Sequence, residues 1–522
     1  MKVIGLDFGT TNSIVSFYNE ATQNIEAWKM GGTDGNNYIP SCLSIEDDEI
    51  YIGEEAKSSL VRENSQTFIN FKILLYETDT QKLANYNYKD KSPKEVAKLY
   101  LKTLLQIYKE EQNIDKISSL VLTVPEIWIQ DDMQARTIIK EIADELKLPL
   151  KKLISEPVAA GAYFIDNHKK RNSTSYDGHL LVFDYGGGTL DITLLEASND
   201  AIKTLERTGK GKDSHSIGKA GVAYDELVVM SVYKETFKKK LQKNSQDYHE
   251  LLVDFEREKI NNRKIIKKYV SQYEKSKKLD REIFSLRCDE GKISIKPSIL
   301  VKCFDELLVD DITTSLKEIQ EYFKVYGINV NNHDEFRIIM VGGFSNYYLS
   351  EKAVKDFFNS KTDSDRRFET HFTLEDTTLA ISKGATLIAN EFVELDETYP
   401  ITIGLVVYCM TIQDNEILPV FVKGDSVKTH EIKYTDRIVS KAGKIKLFFD
   451  NGRTNHTITI DKNPEDIYPG YAKVDNKWKI GFSMDENSFF YLYVVDDDGI
   501  EKRTELGNIV KEYKDSIIVE KK

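Results

Sequence analysis

The sequence predicts an α/β protein followed by an all-β region. Residues 3–17 and 181–196 each contain a strand, an acidic turn rich in glycine and threonine, and a second strand. Residues 92–114 and 131–148 carry helical periodicity between these segments, so strands and helices alternate. From about residue 400 short β-type segments separated by turn sequences indicate a β domain. The repeated strand–turn–strand unit predicts two related halves within the α/β part.

Length, charge and cysteine content exclude several classes of protein. A chain of 522 residues is too long for one hydrophobic core, so two or more domains are expected. A net charge of -13 argues against a protein that neutralises nucleic-acid phosphates, and no nucleic-acid partner is expected. The four cysteines are scattered and suggest neither a disulfide framework nor a zinc site. The apolar run at residues 3–6 is too short for a signal peptide or a membrane span, so a cytoplasmic location without membrane contact is expected.

Two acidic turns carry the chemistry that the sequence suggests. The first is Asp7-Phe8-Gly9-Thr10-Thr11-Asn12-Ser13, and the second is Asp184-Tyr185-Gly186-Gly187-Gly188-Thr189-Leu190-Asp191. Glycine lets the backbone approach a phosphate closely, while hydroxyl and amide groups supply hydrogen-bond donors. Carboxylates beside such turns suit a hydrated Mg²⁺ or general-base chemistry. Both turns are therefore candidate phosphate-binding loops.

A third glycine turn follows the strand at residues 338–341. Gly342 and Gly343 separate this strand from a helical segment, and such a turn can lie against the flat face of a nucleoside. Each turn alone is more often structural than functional, but three in this order indicate a nucleotide site. Neither a P-loop nor a dinucleotide-binding G-x-G-x-x-G occurs, so the nucleotide pocket must be of another kind.

These motifs resemble the Hsp70 family. The chain also has Thr123-Val124-Pro125 before a helix and Ser155-Glu156-Pro157-Val158-Ala159-Ala160, and the resemblance covers roughly residues 1–391 in order. It implies an actin-like, two-lobed ATPase with an RNase-H-like sheet in each lobe and with ATP or ADP and Mg²⁺ at the bottom of the cleft. It further implies a nucleotide-binding domain at 1–391, a linker at 392–399, and a β-rich, substrate-binding-like domain without a helical lid at 400–522.

The resemblance also implies roles for individual residues. The implied nucleotide-binding residues are Gly9, Thr10, Thr11, Asn12, Gly186, Gly187, Gly188, Glu274, Lys277, Lys278, Gly342 and Gly343. The implied catalytic residues are Lys72, Glu156, Asp184, Thr189 and Asp191, and the implied Mg²⁺ residues are Asp7, Asp184 and Asp191. Carboxylates around a triphosphate would repel it unless a metal ion intervened. The alternative for Lys72 is an ordinary surface lysine.

Several positions depart from the family pattern. Phe344 and Asn346 stand where the family usually has a serine and an arginine near the purine, and Lys278 replaces an arginine. Pro125 matches the proline that the family uses as a switch, and Met133 stands where the family has an arginine eight residues later. Glu394 interrupts the apolar linker, where burying an unpaired carboxylate would be costly.

The C-terminal region resembles the β-sandwich that clasps extended peptides. Such a domain binds through main-chain hydrogen bonds and an apolar pocket. Tyr408, Met410 and Val420 are candidate pocket residues, although ordinary core packing is the favoured interpretation. The resemblance therefore predicts binding rather than catalysis at residues 400–522.

The predicted function is that of an ATP-dependent chaperone of the Hsp70 type. Hydrolysis of Mg-ATP would be coupled to binding and release of an unfolded or partner polypeptide, with a J-domain-like cochaperone and a nucleotide-exchange factor as further possible partners of a monomer. A small-molecule kinase of the same superfamily is an alternative, as is an actin-like filament or reactivating ATPase that serves one client. Formation of a phosphorylated metabolite would favour the kinase.

Overall fold

The chain folds into two compact units. The computed structural model describes residues 2–62, 66–126, 128, 133–211, 218–243, 245–360, 365–369, 374–396, 398–399, 402–409, 411–427, 431–435, 446–450, 455–459, 479–485, 490–495 and 500–507. Unit 1 comprises residues 1–127, 138–202 and 206–394, and unit 2 comprises residues 128–137, 203–205 and 395–522. The division between residues 394 and 395 falls inside the segment predicted as a linker.

Strands occur throughout the described parts of the chain. They are β1 (Lys2–Phe8), β2 (Asn12–Asn19), β3 (Asn24–Ala27), β4 (Ile39–Pro40), β5 (Cys42–Glu46), β6 (Glu49–Ile52), β7 (Gln66–Ile69), β8 (Ile117–Val124), β9 (Leu150–Ser155), β10 (Gly178–Tyr185), β11 (Leu190–Ser198), β12 (Ala201–Lys210), β13 (Phe284–Cys288), β14 (Gly291–Ile295), β15 (Phe336–Val341), β16 (Glu394–Asp396), β17 (Thr402–Cys409), β18 (Asp414–Phe421), β19 (Lys433–Tyr434), β20 (Lys446–Asp450), β21 (Asn455–Thr459), β22 (Lys479–Met484), β23 (Phe490–Val495) and β24 (Glu501–Gly507). The strand–turn–strand segments predicted near the N-terminus and near residue 185 are confirmed as β1–β2 and β10–β11.

Helices lie between strands in the described parts of the chain. They are α1 (Gly53–Ser58), α2 (Thr80–Ala84), α3 (Pro93–Glu111), α4 (Met133–Glu145), α5 (Glu156–Asn172), α6 (Gly221–Phe237), α7 (Gln246–Asn261), α8 (Arg263–Lys275), α9 (Pro297–Phe304), α10 (Asp310–Val325), α11 (Tyr348–Phe357) and α12 (Leu374–Ala389). Residues 305–309 form a π-helical turn between α9 and α10. A capping box of Ser92 and Glu95 begins α3, which confirms the first predicted helix.

The two main sheets of unit 1 share one pattern. The first has the order β3-β2-β1-β8-β9, with β4 paired to β2, and the second contains β15-β10-β11-β12 in that order. In each, a central strand pairs antiparallel with its successor and parallel with a strand later in the chain, as β1 does with β2 and β8 and as β10 does with β11 and β15. The predicted repeat of two related halves is therefore present in the topology.

Helices α5 and α12 pack against each other between these sheets. Helix α12 lies on β1, β2 and β8, whereas α5 lies on β10 and β11. Buried polar contacts fix the first of these packings, because Gly5 N donates to Thr386 Oγ1 at 3.1 Å and the hydroxyls of Ser16 and Ser382 are 2.8 Å apart. The carboxyl ends of β1, β8 and β9 thus lie together at one edge of the first sheet. The candidate site residues Asp7 and Glu156 lie at this edge.

Unit 2 is rich in strands over its described residues. Its described strands include the antiparallel sheets β18-β17-β20-β21 and β19-β22-β23-β24. Both sheets contribute side chains to one apolar cluster, including Leu405 and Phe449 from the first and Phe482 and Leu492 from the second. Val420 belongs to this cluster, which agrees with the favoured core interpretation, whereas Tyr408 is 63% exposed. Met410 and the residues after 507, where no helical lid is predicted, lie outside the described residues.

The helices show no membrane-spanning character. Within the parts of the chain that the structure describes, every helix is too short or too polar to cross a bilayer.

Candidate functional site

The first glycine turn is held in place by its neighbours. It connects β1 to β2, so Asp7 lies at the end of a buried strand and Asn12 begins the next one. Ser41 fixes the turn from outside, since its backbone N donates to Thr11 O at 2.8 Å and its hydroxyl donates to Gly9 O at 2.7 Å. Ser41 was missed in the sequence because nothing local marks it as a partner of a loop thirty residues earlier.

The second glycine turn joins β10 to β11 and is fixed by helix α6. Gly186 N donates to Thr189 O at 3.3 Å and closes the turn. Gly221 N donates to Gly186 O at 3.2 Å, and Val222 N donates to Gly187 O at 2.9 Å. The start of α6 therefore holds the glycine run in one conformation.

The two turns lie directly against each other. A Cβ atom added at Gly187 would lie 2.2 Å from Thr11 Oγ1, and one added at Gly188 would lie 2.4 Å from Thr10 Oγ1. Only glycine fits such an approach, because real Cβ atoms do not come this close to other heavy atoms. Hydroxyls and backbone amides from both predicted phosphate loops are thus brought together at one place, although about 175 residues separate them in the sequence.

The third turn joins the same place through Tyr185. The backbone N atoms of Phe344 and Ser345 donate to Tyr185 O at 2.9 and 3.0 Å. Gly342 has a φ of +82°, and a Cβ added there would lie 2.6 Å from Asp184 Oδ1. The structure therefore brings all three glycine turns together around Asp184.

Carboxylates crowd the region beneath the turns. Asp184 and Asp191 are opposite each other in the β10–β11 register, and both are buried. Asp7 is also buried and accepts a hydrogen bond from Thr123 Oγ1 at 3.3 Å. Glu156 follows β9 at the same edge of the sheet and is paired with Lys72, whose Nζ lies 2.6 Å from Glu156 Oε1. The surface-lysine alternative for Lys72 is wrong, because the residue is 2% exposed.

This crowding raises the pKa of two of the carboxyl groups. Burial, followed by the nearby charge of Glu156, raises the pKa of Asp7 to about 7, although Lys72 opposes the rise. Burial and the charges of Glu156, Asp191 and Asp7 raise the pKa of Asp184 well above its usual range. Lys72 therefore does not fully offset the burial of these carboxylates and the repulsion among them.

A hydrated divalent cation fits this donor set. Asp184 Oδ2 is buried and makes no hydrogen bond to any described residue. Among the described residues, no three His, Cys, Asp or Glu side chains are arranged to hold a metal ion directly. Carboxylates that contact a metal through its water shell need not approach so closely, and Mg²⁺ usually keeps several waters.

A comparison with known families matches most of unit 1. The sequence model of the family described as Hsp70 protein matches residues 3–390. The chain belongs to the Hsp70 family. The predicted resemblance is thus confirmed, and family membership gives this Hsp70 chain an actin-like ATPase fold.

Curated relatives carry the printed name "Chaperone protein DnaK". The chain is 26% identical over 367 residues to that of Mycoplasmopsis agalactiae, which covers 69% of this chain and 55% of the relative. The chain is 25% identical over 412 residues to the relative from Mycoplasma mobile, and the match covers 77% of this chain and 61% of the relative. The chain is 31% identical over 233 residues to the relative from Mycoplasmopsis pulmonis, and the match covers 45% of this chain and 35% of the relative. The Hsp70 chain thus spans about half the length of the curated relatives that it matches.

The predicted nucleotide-binding residues Glu274, Lys277 and Lys278 lie at or just after the end of α8 in this Hsp70 protein. Glu274 is half-buried and forms an ion pair with Lys352 on α11 at 3.5 Å, which connects it to the helix after the Gly342 turn. Lys277 and Lys278 are exposed, and Lys277 Nζ lies 4.2 Å from the centre of the Tyr273 ring. No contact among the described residues joins Lys278 to the glycine turns, so its nucleotide role stays a prediction.

The positions that depart from the Hsp70 pattern have specific surroundings. Phe344 is 5% exposed and packs against the rings of Tyr185, Tyr224 and Tyr347 at 5.0, 5.4 and 5.2 Å. Asn346 Nδ2 donates to Thr377 Oγ1 at 3.0 Å. Phe344 is therefore a packing residue beside the third glycine turn. The side chain of Met133 lies outside what the structure describes, and Glu394 is exposed, so the burial cost expected for it does not arise.

Proposed function

We propose that this chain hydrolyses ATP with Mg²⁺ and uses the reaction to control the binding of a polypeptide. The observation that carries the proposal is the direct packing of Gly187 and Gly188 against Thr11 and Thr10. Two donor-rich turns on two matching sheets then face a single triphosphate. A small-molecule kinase or a filament-forming ATPase would share this site, but no contact among the described residues of unit 1 favours either of them over the Hsp70 function.

Each group in the cleft has a role that its position supports. Gly9, Thr10, Thr11 and Asn12 offer donors to phosphate from one side, and Gly186, Gly187, Gly188 and Thr189 do so from the other. Mg²⁺, bound through water by Asp7, Asp184 and Asp191, would neutralise phosphate charge and polarise the terminal phosphate. Lys72, oriented by Glu156, would offset charge that develops on that phosphate, while the carboxylates hold the attacking water.

The polypeptide partner is assigned to residues 400–522. The curated relatives are named chaperones, and the two antiparallel sheets of unit 2 around one apolar cluster support a sandwich that binds an extended peptide. Tyr408, Ile412 and Ile417 are exposed apolar side chains of this unit and could contact a client. The proposal includes a J-domain-like cochaperone and a nucleotide-exchange factor, which follow from the family resemblance, and a monomer in the cytoplasm.

Single-turnover ATP hydrolysis tests the proposal. The full chain should hydrolyse ATP only with Mg²⁺, and Lys72→Ala and Asp191→Ala should each slow the chemical step by about 100-fold or more. Lys151→Ala is the control, since Lys151 is an exposed lysine paired with Glu391 and lies near the start of β9, whereas Glu156 follows the end of that strand. Unchanged rates in both site variants would refute the catalytic assignment. An unfolded peptide that leaves the rate unchanged would refute the chaperone part alone.

A further inference from the structure

A buried ion pair lies beside the proposed site, and neither of its two residues was among the predicted site residues. Glu126 follows β8 and is 1% exposed, and its Oε1 lies 3.0 Å from Nη1 of Arg207 on β12. The other carboxylate oxygen, Oε2, accepts a hydrogen bond from Thr193 Oγ1 on β11 at 3.5 Å. One carboxylate thus contacts two strands of the second sheet from the end of a strand in the first.

The position of Glu126 makes the pair a connection between the two sheets of unit 1. Strand β8 belongs to the first sheet, whereas β11 and β12 are neighbours in the second. The backbone after Val124 leaves the first sheet at the edge where Asp7 and Glu156 also lie. The Glu126 side chain therefore helps to set the distance between the edge of the first sheet that carries Asp7 and the strand of the second sheet that carries Asp191.

Each residue in this contact lies two or three positions along the chain from a residue that belongs to the proposed site or touches it. Thr123, three residues before Glu126, donates to Asp7. Thr193 is two residues after Asp191, and Arg207 is two residues before Gly209. A Cβ added at Gly209 would lie 3.1 Å from Asp191 Oδ1, so β12 packs closely against that carboxylate. A shift of the ion pair would move Asp7 and Asp191 relative to each other.

Packing alone gives no reason to place charge here. A buried ion pair is often no more stabilising than apolar side chains of the same volume, because both charges lose their water. The contact between Arg207 and Glu126 also lacks the alignment of a good hydrogen bond, since Glu126 Oε1 has no hydrogen-bond partner among the described residues. Two long, oppositely charged side chains are instead suited to fixing the distance between the backbone segments that carry them.

We propose that Glu126 and Arg207 are positioning residues that set the separation of Asp7 and Asp191 for ATP hydrolysis. The inference rests on the proposed ATPase function. Its contacts described above lie on β8, β11 and β12, so the pair acts through these strands. A misplacement of the reacting groups by about 1 Å can slow an enzyme about 100-fold while substrate binding changes little.

The test compares hydrolysis with binding in the full chain. Glu126→Gln and Arg207→Met are each expected to slow single-turnover hydrolysis by about 10- to 100-fold while the Kd for ATP changes less than about threefold. The double variant Glu126→Gln/Arg207→Met removes both buried charges, so its melting temperature should recover while its rate stays low. Arg207→Lys, which keeps the charge, should retain more activity than Arg207→Met.

Asp365→Asn is the control, because Asp365 and Arg367 form a largely buried ion pair that joins residues of one short segment. It should alter stability without altering the rate. A double variant that recovers the wild-type rate together with its stability would overturn the positioning role, as would wild-type rates in all folded variants. Wild-type protein that fails to hydrolyse ATP would refute the proposed function instead.

Discussion

Glycine at position 187 leaves space that another residue would fill. A Cβ there would lie 2.2 Å from Thr11 Oγ1, so Gly187→Ala is expected to push the first two glycine turns apart. We expect ATP affinity to fall about 10- to 100-fold, measured by calorimetric titration. Gly186→Ala provides the comparison, because an added Cβ there meets no atom within 4 Å and should weaken binding less. Equal affinities for wild type and Gly187→Ala would contradict the convergence of the two loops on one nucleotide.

The carboxyl group of Asp365 has a pH effect of predictable sign. Hydrogen bonds from Arg367 hold the pKa of Asp365 below its usual range. A lowered pKa in the folded state stabilises the protein above the unfolded pKa of about 4, and this contribution is lost as the pH falls further. Asp365→Asn should therefore cost about 1 to 2 kcal/mol at pH 7 and progressively less below pH 4. Urea unfolding across this pH range measures the difference, and a cost that grows on acidification would show the sign to be wrong.

Helix α12 is joined to β1 by a side-chain acceptor. Gly5 N donates to Thr386 Oγ1, and both residues are buried where the helix crosses the strand. Thr386→Val keeps the shape of the side chain but leaves the Gly5 N–H without this acceptor, which should cost about 1 to 3 kcal/mol. Thr386→Ser keeps the hydroxyl and should cost less. Urea unfolding at pH 7 gives both values, and a larger loss for the serine variant would argue that the methyl contact dominates.

Local patterns were sufficient for many elements of this chain. Apolar residues recur at the helical period in α3 and α4, so these helices could be predicted. Runs of β-branched residues flank the glycine turns, so β1, β2, β10 and β11 could be predicted as well. Sheet order could not be predicted from such patterns, because the pairing of β1 with β8 joins residues more than 100 positions apart. That pairing depends on tertiary packing, which local periodicity does not encode.

The site as a whole was only partly predictable. The glycine turns and their carboxylates carry recognisable residue types, and their order indicated the family, so Asp7, Asp184 and Asp191 could be named in advance. Ser41, Glu126 and Arg207 could not, because a serine, a glutamate and an arginine acquire their roles only from what the fold places beside them. Phe344 was noticed as a departure, but its packing among tyrosines required the structure.

Communication between the two units is the property of the whole molecule that most needs a test. If the chain is a chaperone of the proposed kind, the nucleotide bound by unit 1 must change the free energy of unit 2. Calorimetric unfolding of the full chain should then show a transition that Mg-ATP stabilises by about 2.7 kcal/mol at 100 times the Kd. A second transition, from unit 2, should also move by several degrees, since a coupling free energy of about 1 kcal/mol is enough to do so.

Gly187→Ala is the control for this experiment. At the same ATP concentration it should reduce both shifts together, because the two depend on one nucleotide. If Mg-ATP moves the first transition and leaves the second unchanged, the units are energetically independent. Glu394, which interrupts the apolar linker segment, would then be the first residue to replace, and Glu394→Leu should restore the missing shift if the linker carries the coupling.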